Sequence, residues 1–337
     1  MDIRDRRALQ QEAAQTLEQA AYDPKKLVLL HTAILMGTSA LVVVLDYILA
    51  GQIENTGGLV GLGTRAILST IQSALQLALL IATPFWQIGL TYGVLRIARK
   101  QPAEPKDLKE GFFRFGPVLR LQLARLLLCV LIGILSMNIG TTIFAFTPFS
   151  APMEALLIQL EEQLAANASF VMDEATYLAL MDAAIPMLVI TGILYAALLI
   201  PLLYRFRMAD YAIMDEDRPG AVKALSISAR LMRNNRFQLF RLDLSFWWFY
   251  LLEALSIAIC YADTLLPLLG ITLPMSADVL FFVSYGLYIV AQLALYWWAG
   301  AQVETTYAVA YDKLRTKLYP LHPPQPQTPP QQNPWQV

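Results

Sequence analysis

Few residues in this 337-residue chain have the type and spacing that catalysis needs. Histidine occurs only at His31 and His322, and cysteine only at Cys129 and Cys260, each cysteine inside an apolar run. No two of these have the spacing of a zinc site, which wants several nitrogen or sulfur ligands converging. Neither a metal nor another cofactor is expected. The cysteines read as small buried hydrophobes, without a disulfide framework. There is no Gly-x-Ser-x-Gly and no His-Glu-x-x-His, and the glycine-rich "GGLVGLG" at 57–63 fits neither a phosphate loop nor a dinucleotide fingerprint. The better leads are polar side chains stranded in apolar sequence: Glu253, Gln292, Arg125 and Asp243, with Asp46 further out. Such groups are costly in hydrocarbon unless partnered. They line a polar path, or they bridge helices and snorkel towards the interface. Bridging is the default reading, and Glu253 fits it least comfortably.

The elements that must hold these residues are helices in lipid. Apolar residues make up 57% of the chain and charged residues 15%, with a mean hydropathy of +0.49, against about 45–50% and about 25% in soluble domains. Crossing the hydrocarbon core takes about 20 mainly apolar residues. Six segments qualify, at 27–50, 66–98, 118–146, 184–209, 238–260 and 279–303. The second, fourth and sixth run on without a stop and should protrude on one side. Charge names that side. Of 25 basic residues, 24 fall in the N-terminal region, the second-to-third and fourth-to-fifth connections with their flanks, and the C-terminus. The opposite connections hold only Arg65, and residues 147–185 carry six acids and no base. By the positive-inside rule both termini are cytoplasmic. The expected fold class is all-α: a polytopic membrane protein with six transmembrane helices. The N-terminus lacks the apolar core and cleavage site of a signal peptide.

A repeat organises these spans. Arg120-Leu121-Gln122-Leu123 matches Arg241-Leu242-Asp243-Leu244 at an offset of 121, which also carries the second span onto the fourth and the third onto the fifth. Residues 1–26 give a fainter third copy. Each unit is expected to be an amphipathic cytoplasmic elbow helix (1–26, 101–117, 217–237), a span out and a longer span back. In the third elbow Val222, Leu225, Ala229 and Met232 share a face beside Lys223 and Arg230. Such a helix can lie on a bilayer, with the cations Arg114, Arg120, Lys223, Arg230, Arg233, Arg236 and Arg241 near anionic headgroups. Asn234 or Asn235 would supply a left-handed residue at the join. DNA binding is not expected from so short a basic stretch between spans. Gly89 and Gly93 permit close packing.

Two further segments stand apart. Within 147–183, Leu156, Leu157, Leu160 and Leu164 lie beside Glu154, Glu161 and Glu162, which predicts an acidic amphipathic helix outside. "NAS" at 167–169 has the form of a glycosylation sequon. The tail, 316–337, ends in a stretch with seven prolines in 18 residues, too poor in apolar area to fold. The tail and the external helix are the two places for a protein partner.

"YAIMDEDRPGAVKALSISARLMRNNRFQLFRLDLSFWW", "PFWQIGLTYGVLRIARKQPAEPKDLKEGFFRFG" and the closing "TTYAVAYDKL" resemble bacterial integral membrane proteins of the domain of unknown function 975 family. The resemblance covers most of 1–315; Asn-Asn stands where a glycine is expected at the elbow, and a Pro-Tyr pair is missing near Gly300. It implies a bacterial cytoplasmic membrane location and supplies no catalytic residue. The expected function is a non-enzymatic scaffold or regulator of the cell envelope. The alternative is a transporter or lipid-handling protein with a polar site at Glu253 and Gln292.

Overall fold

The computed structural model describes residues 5–20, 22–55, 58–166, 173–215, 219–271 and 273–318. The sequon at 167–169, His322 and nearly all of the 316–337 tail lie outside the described residues. Among the described residues the chain is helical, without strands. The helices are α1 (Arg6–Glu18), α2 (Pro24–Asn55), α3 (Gly58–Ala98), α4 (Glu110–Phe113), α5 (Phe115–Ala145), α6 (Ser150–Ala166) and α7 (Glu174–Phe206). They continue with α8 (Ala209–Ile213), α9 (Ala221–Leu231), α10 (Arg236–Ser245), α11 (Trp247–Cys260), α12 (Ala262–Leu268), α13 (Ala277–Leu295) and α14 (Ala301–Leu318). A 3₁₀ turn at Pro105–Lys109 precedes α4, and a π turn at Tyr296–Gly300 joins α13 to α14.

Five stretches are long and apolar enough to cross a membrane: Pro24–Gly51, Gly63–Ala98, Phe115–Ala145, Glu174–Ile213 and Ala277–Leu318. The last, at 42 residues, is about 60 Å long at 1.5 Å per residue, longer than a hydrocarbon core. The expected span 238–260 is broken. Helices α10 and α11 meet at 67°, so a sixth span exists only if that bent pair counts as one. Neither glycine nor proline marks the break. It coincides with Phe246, which is 2% exposed and has its ring 6.3 Å from that of Tyr307.

The chain divides into two compact units, 1–115 with 210–219 and 237–337, and 116–209 with 220–236. In the first, α2 packs along α3, α11 along α13, and α1 on α14. The long helices expose large apolar side chains along their lengths, Leu80 and Val290 in the first unit and Leu126 and Ile193 in the second. Water would make such a surface costly, and it is compatible with a membrane protein. The buried core sits at the basic helix ends instead: Leu9, Leu27, Leu90, Leu108, Ile213 and Tyr311 are all but fully covered.

Short helices cover those ends. The 3₁₀ turn and α4 lie on α3 so closely that a Cβ at Gly89 would stand 1.9 Å from the Leu108 carbonyl oxygen, and one at Gly111 would stand 2.1 Å from that of Phe85. Only glycine allows backbones that near. Gly89 thus meets the short turn, whereas Gly93 faces the Leu27 side chain of α2. In the second unit α9 lies on α7, and the Ser228 hydroxyl donates to the Arg205 carbonyl at 3.0 Å. The face it buries is Ala221, Ala224, Ser228 and Leu231. It is not the stripe expected to lie on a bilayer; small side chains make the close contact with α7. Val222 is 82% exposed, although Met232 is buried.

The joins differ from expectation too. Asn234 and Asn235 do not adopt a left-handed backbone; the Asn235 amide instead donates to the Leu231 carbonyl at 2.7 Å, closing the end of α9. Lys100 takes the left-handed conformation, at φ 57°. The Gln101 N–H then bonds back to the Arg96 carbonyl at 2.9 Å, ending α3 in a Schellman-type turn. In α6 only Leu160 of the predicted leucine stripe is buried, within contact of α7; Leu157 and Leu164 are exposed.

Candidate functional site: a carboxylate clasp

Asp215 sits just beyond α8 and is 4% exposed. Its Oδ1 accepts from Arg99 Nη2 at 2.9 Å, and its Oδ2 accepts from the Tyr311 hydroxyl at 2.8 Å. Arg315 Nε also donates to Oδ2. The Arg99 Nε reaches Asp312 at 2.8 Å. One carboxylate therefore joins the end of α3, the end of α14 and the segment after α8. Local structure explains the convergence. Arg99 directly follows the last residue of α3, where a cation faces the negative helix end, and Tyr311 and Arg315 are four residues apart on one face of α14. The Tyr211 and Tyr311 rings stack at 5.4 Å beside the carboxylate. Burial by itself would lower the affinity of the Arg99 guanidinium for its proton, but hydrogen bonds and charges from Asp312 and Asp215 outweigh it and hold Arg99 above its ordinary value.

A second pair braces the same end. Arg96 Nη1 donates to both oxygens of Asp107, at 2.8 and 3.0 Å, and Asp107 also accepts from the Glu104 backbone N–H at 2.9 Å. Asp107 is 4% exposed, and it fixes the 3₁₀ turn to α3. Arg114 donates to the backbone carbonyls of Ile213 and, at 3.4 Å, Pro219. Between these groups lies a cavity of about 260 Å³ lined by residues that include Tyr92, Arg96, Arg99, Gln101, Arg114 and Asp215.

The model of the family described as Protein of unknown function (DUF975) matches residues 1–315. The chain belongs to that family. No curated protein and no solved structure matches the chain.

In this DUF975 member the four polar residues singled out from the spans do not form one constellation. Gln292 donates to the Ser256 hydroxyl at 2.7 Å, and that hydroxyl donates to the Glu253 carbonyl at 2.7 Å. The Glu253 carboxylate accepts from the Tyr296 hydroxyl at 3.3 Å. Asp243 accepts from the Tyr307 hydroxyl, which stands 2.7 Å from that of Tyr250. Arg125 belongs to the second unit, where it donates to the Phe206 carbonyl at 3.0 Å. Beside Ser256 an open apolar groove of about 370 Å³ runs between α11 and α13, walled by Leu252, Leu255, Ile259, Ala294 and Trp298 among others. Further out, Asp46 accepts from Gln76 at 2.8 Å.

The seven elbow cations divide. Arg120, Lys223, Arg230, Arg233 and Arg241 are exposed, whereas Arg114 and Arg236 are half-buried. Arg114 is thus held among backbone carbonyls, though the sequence suggests a surface cation. Spacing did not single out Asp215, Arg99, Tyr311 or Arg315, because their charges look like ordinary helix-end decoration until the chain brings them together. One signal for them was present: Asp215 stands in the very stretch that carries the family resemblance.

Proposed function

We propose that this protein is a non-enzymatic scaffold or regulator in a bacterial cytoplasmic membrane, with the basic helix ends and both termini in the cytoplasm. It acts through the platform built at those ends. The observation that carries this reading is the clasp: Asp215, 4% exposed, engaged at once by Arg99, Tyr311 and Arg315. A rigid charged platform on protruding helices presents a fixed surface to a partner. The exposed Lys223, Arg230 and Arg233 in and beside α9 supply cations for anionic headgroups.

The test is complementation of a deletion strain, read as envelope permeability to a dye. Reversing Lys223, Arg230 and Arg233 to glutamate should abolish complementation, while Glu253→Gln and Gln292→Leu should preserve it. The opposite pattern overturns the scaffold reading. Cysteine labelling at position 233 should occur only after the membrane is permeabilised; labelling from outside intact cells would overturn the orientation.

A second reading, lipid handling, is favoured by the groove between α11 and α13, which has an apolar wall and the Glu253–Tyr296 pair close by. Its expected sign is a phospholipid that co-purifies with the wild-type protein and is lost on Ala294→Trp.

A further inference from the structure

We infer that the cavity at the end of α3 binds a phosphate group. Three observations converge on it.

The first is a hydrogen-bond account. An arginine carries five N–H donors and no acceptor. Arg96 spends Nη1 on Asp107, and its Nη2 has no hydrogen-bond partner among the described residues. The Tyr92 hydroxyl and the Gln101 side-chain amide, which line the same cavity, also have none there. Donors that no protein acceptor uses, gathered in one cavity, suit an oxyanion.

The second is preorganisation. Asp107 grips Arg96 through both its oxygens, and Asp215 with Asp312 grips Arg99. Arginines already fixed by other partners lose little side-chain freedom when an anion arrives, and their planar forks match phosphate geometry. The ionisable lining is Arg96, Arg99 and Arg114 against Glu110 and Asp215, so cations outnumber carboxylates. At about 260 Å³ the cavity falls below the roughly 300–1,000 Å³ of pockets for drug-sized ligands. That room suits a phosphate with a small substituent.

The third is where the cavity sits in the chain's own repetition. Tyr92-Gly-Val-Leu-Arg96, Tyr211-Ala-Ile-Met-Asp215 and Tyr307-Ala-Val-Ala-Tyr311 share one pattern: a tyrosine, a small residue, a β-branched residue, a further apolar residue and a polar one. The second to fourth positions are buried in all three. The fifth positions come together. Tyr311 donates to Asp215, and Arg96 shares the cavity wall with Asp215. Three related segments have kept the same buried apolar frame while their polar ends differ, as arginine, aspartate and tyrosine. In transporters built from internal repeats, substrate sites lie at the interface between repeats.

Two sources offer the chemistry, a phospholipid headgroup and a soluble phosphate ester. The experiment uses the full chain in phosphatidylcholine nanodiscs. In one arm glycerol phosphate is titrated by calorimetry, and in the other phosphatidic acid is added to the disc and retention is read by native mass spectrometry. Saturable binding in the first arm identifies a soluble ester. Binding confined to the second identifies a headgroup. Tyr92→Phe with Gln101→Leu removes two donors without touching an ion pair, so the variant should keep the wild-type melting temperature and bind at least about tenfold more weakly. Binding in neither arm, or binding undiminished in this variant, overturns the inference. Either result leaves the scaffold reading standing, since the variant touches neither the Asp215 clasp nor the exposed cations of α9.

Discussion

The basic end of the first unit and its apolar middle solve the same problem in opposite ways. Both bury polar side chains. At the basic end one carboxylate, Asp215, collects Arg99, Tyr311 and Arg315 from two helices and holds three segments together. In the middle, Gln292 of α13 donates to Ser256 of α11, and Tyr296 of the π turn that follows α13 donates to Glu253 of α11. The difference follows from charge together with burial, since Asp215 is 4% exposed whereas the Glu253 carboxylate is only half-buried. A buried ion needs several partners to repay its desolvation, so it draws in distant pieces of chain. A neutral amide is satisfied by one neighbour, and it tightens a contact that packing has already made.

That contrast can be broken by mutation. The largest effect is expected from Asp215→Ala, which leaves Arg99 and Arg315 without their shared carboxylate. Removing one side of a buried pair typically costs about 3–5 kcal/mol, so thermal unfolding in detergent should begin far earlier than in wild type. An unchanged melting temperature would show that the clasp holds nothing. Gly111→Leu should come next. Its Cβ would stand 2.1 Å from the Phe85 carbonyl oxygen, in backbone that cannot yield. Overpacking of this kind costs about 1–3 kcal/mol, and proteolysis within 101–114 should accelerate as the short helix lifts from α3. The smallest effect is expected from Gln292→Leu. It forfeits a single interhelical hydrogen bond, worth about 0.6 kcal/mol on average between membrane helices. A double-mutant cycle with Ser256→Ala should return a coupling of that size. A coupling as large as the Asp215 effect would erase the distinction between the two regions.

Much of the architecture was legible in the residues. Composition and the clustering of basic residues point to long apolar helices with charged ends, and such helices are there. In the sequence the stretch 84–116 stands out for its family resemblance; the structure adds that Asp107 binds Arg96 and that Gly111 is pressed on Phe85. The face of α9 that packs on α7, with Ala224 and Ser228, was not marked by spacing, which singled out the stripe through Val222 as a bilayer-facing one. The expected span at 238–260 is bent by 67° around Phe246, and it is a sixth span only if the bent pair counts as one. No residue there breaks a helix by itself.

Sequence alone determined where the chain is apolar and where it is charged, because solvation of a side chain depends first on its own chemistry. It also contains three Tyr-led segments of like pattern, at 92–96, 211–215 and 307–311. Only the tertiary structure decided that Asp215 meets Arg99, 116 residues earlier, and Tyr311, 96 residues later. Such a meeting depends on how helices pack, and no local pattern encodes which distant charge will lie within hydrogen-bond reach.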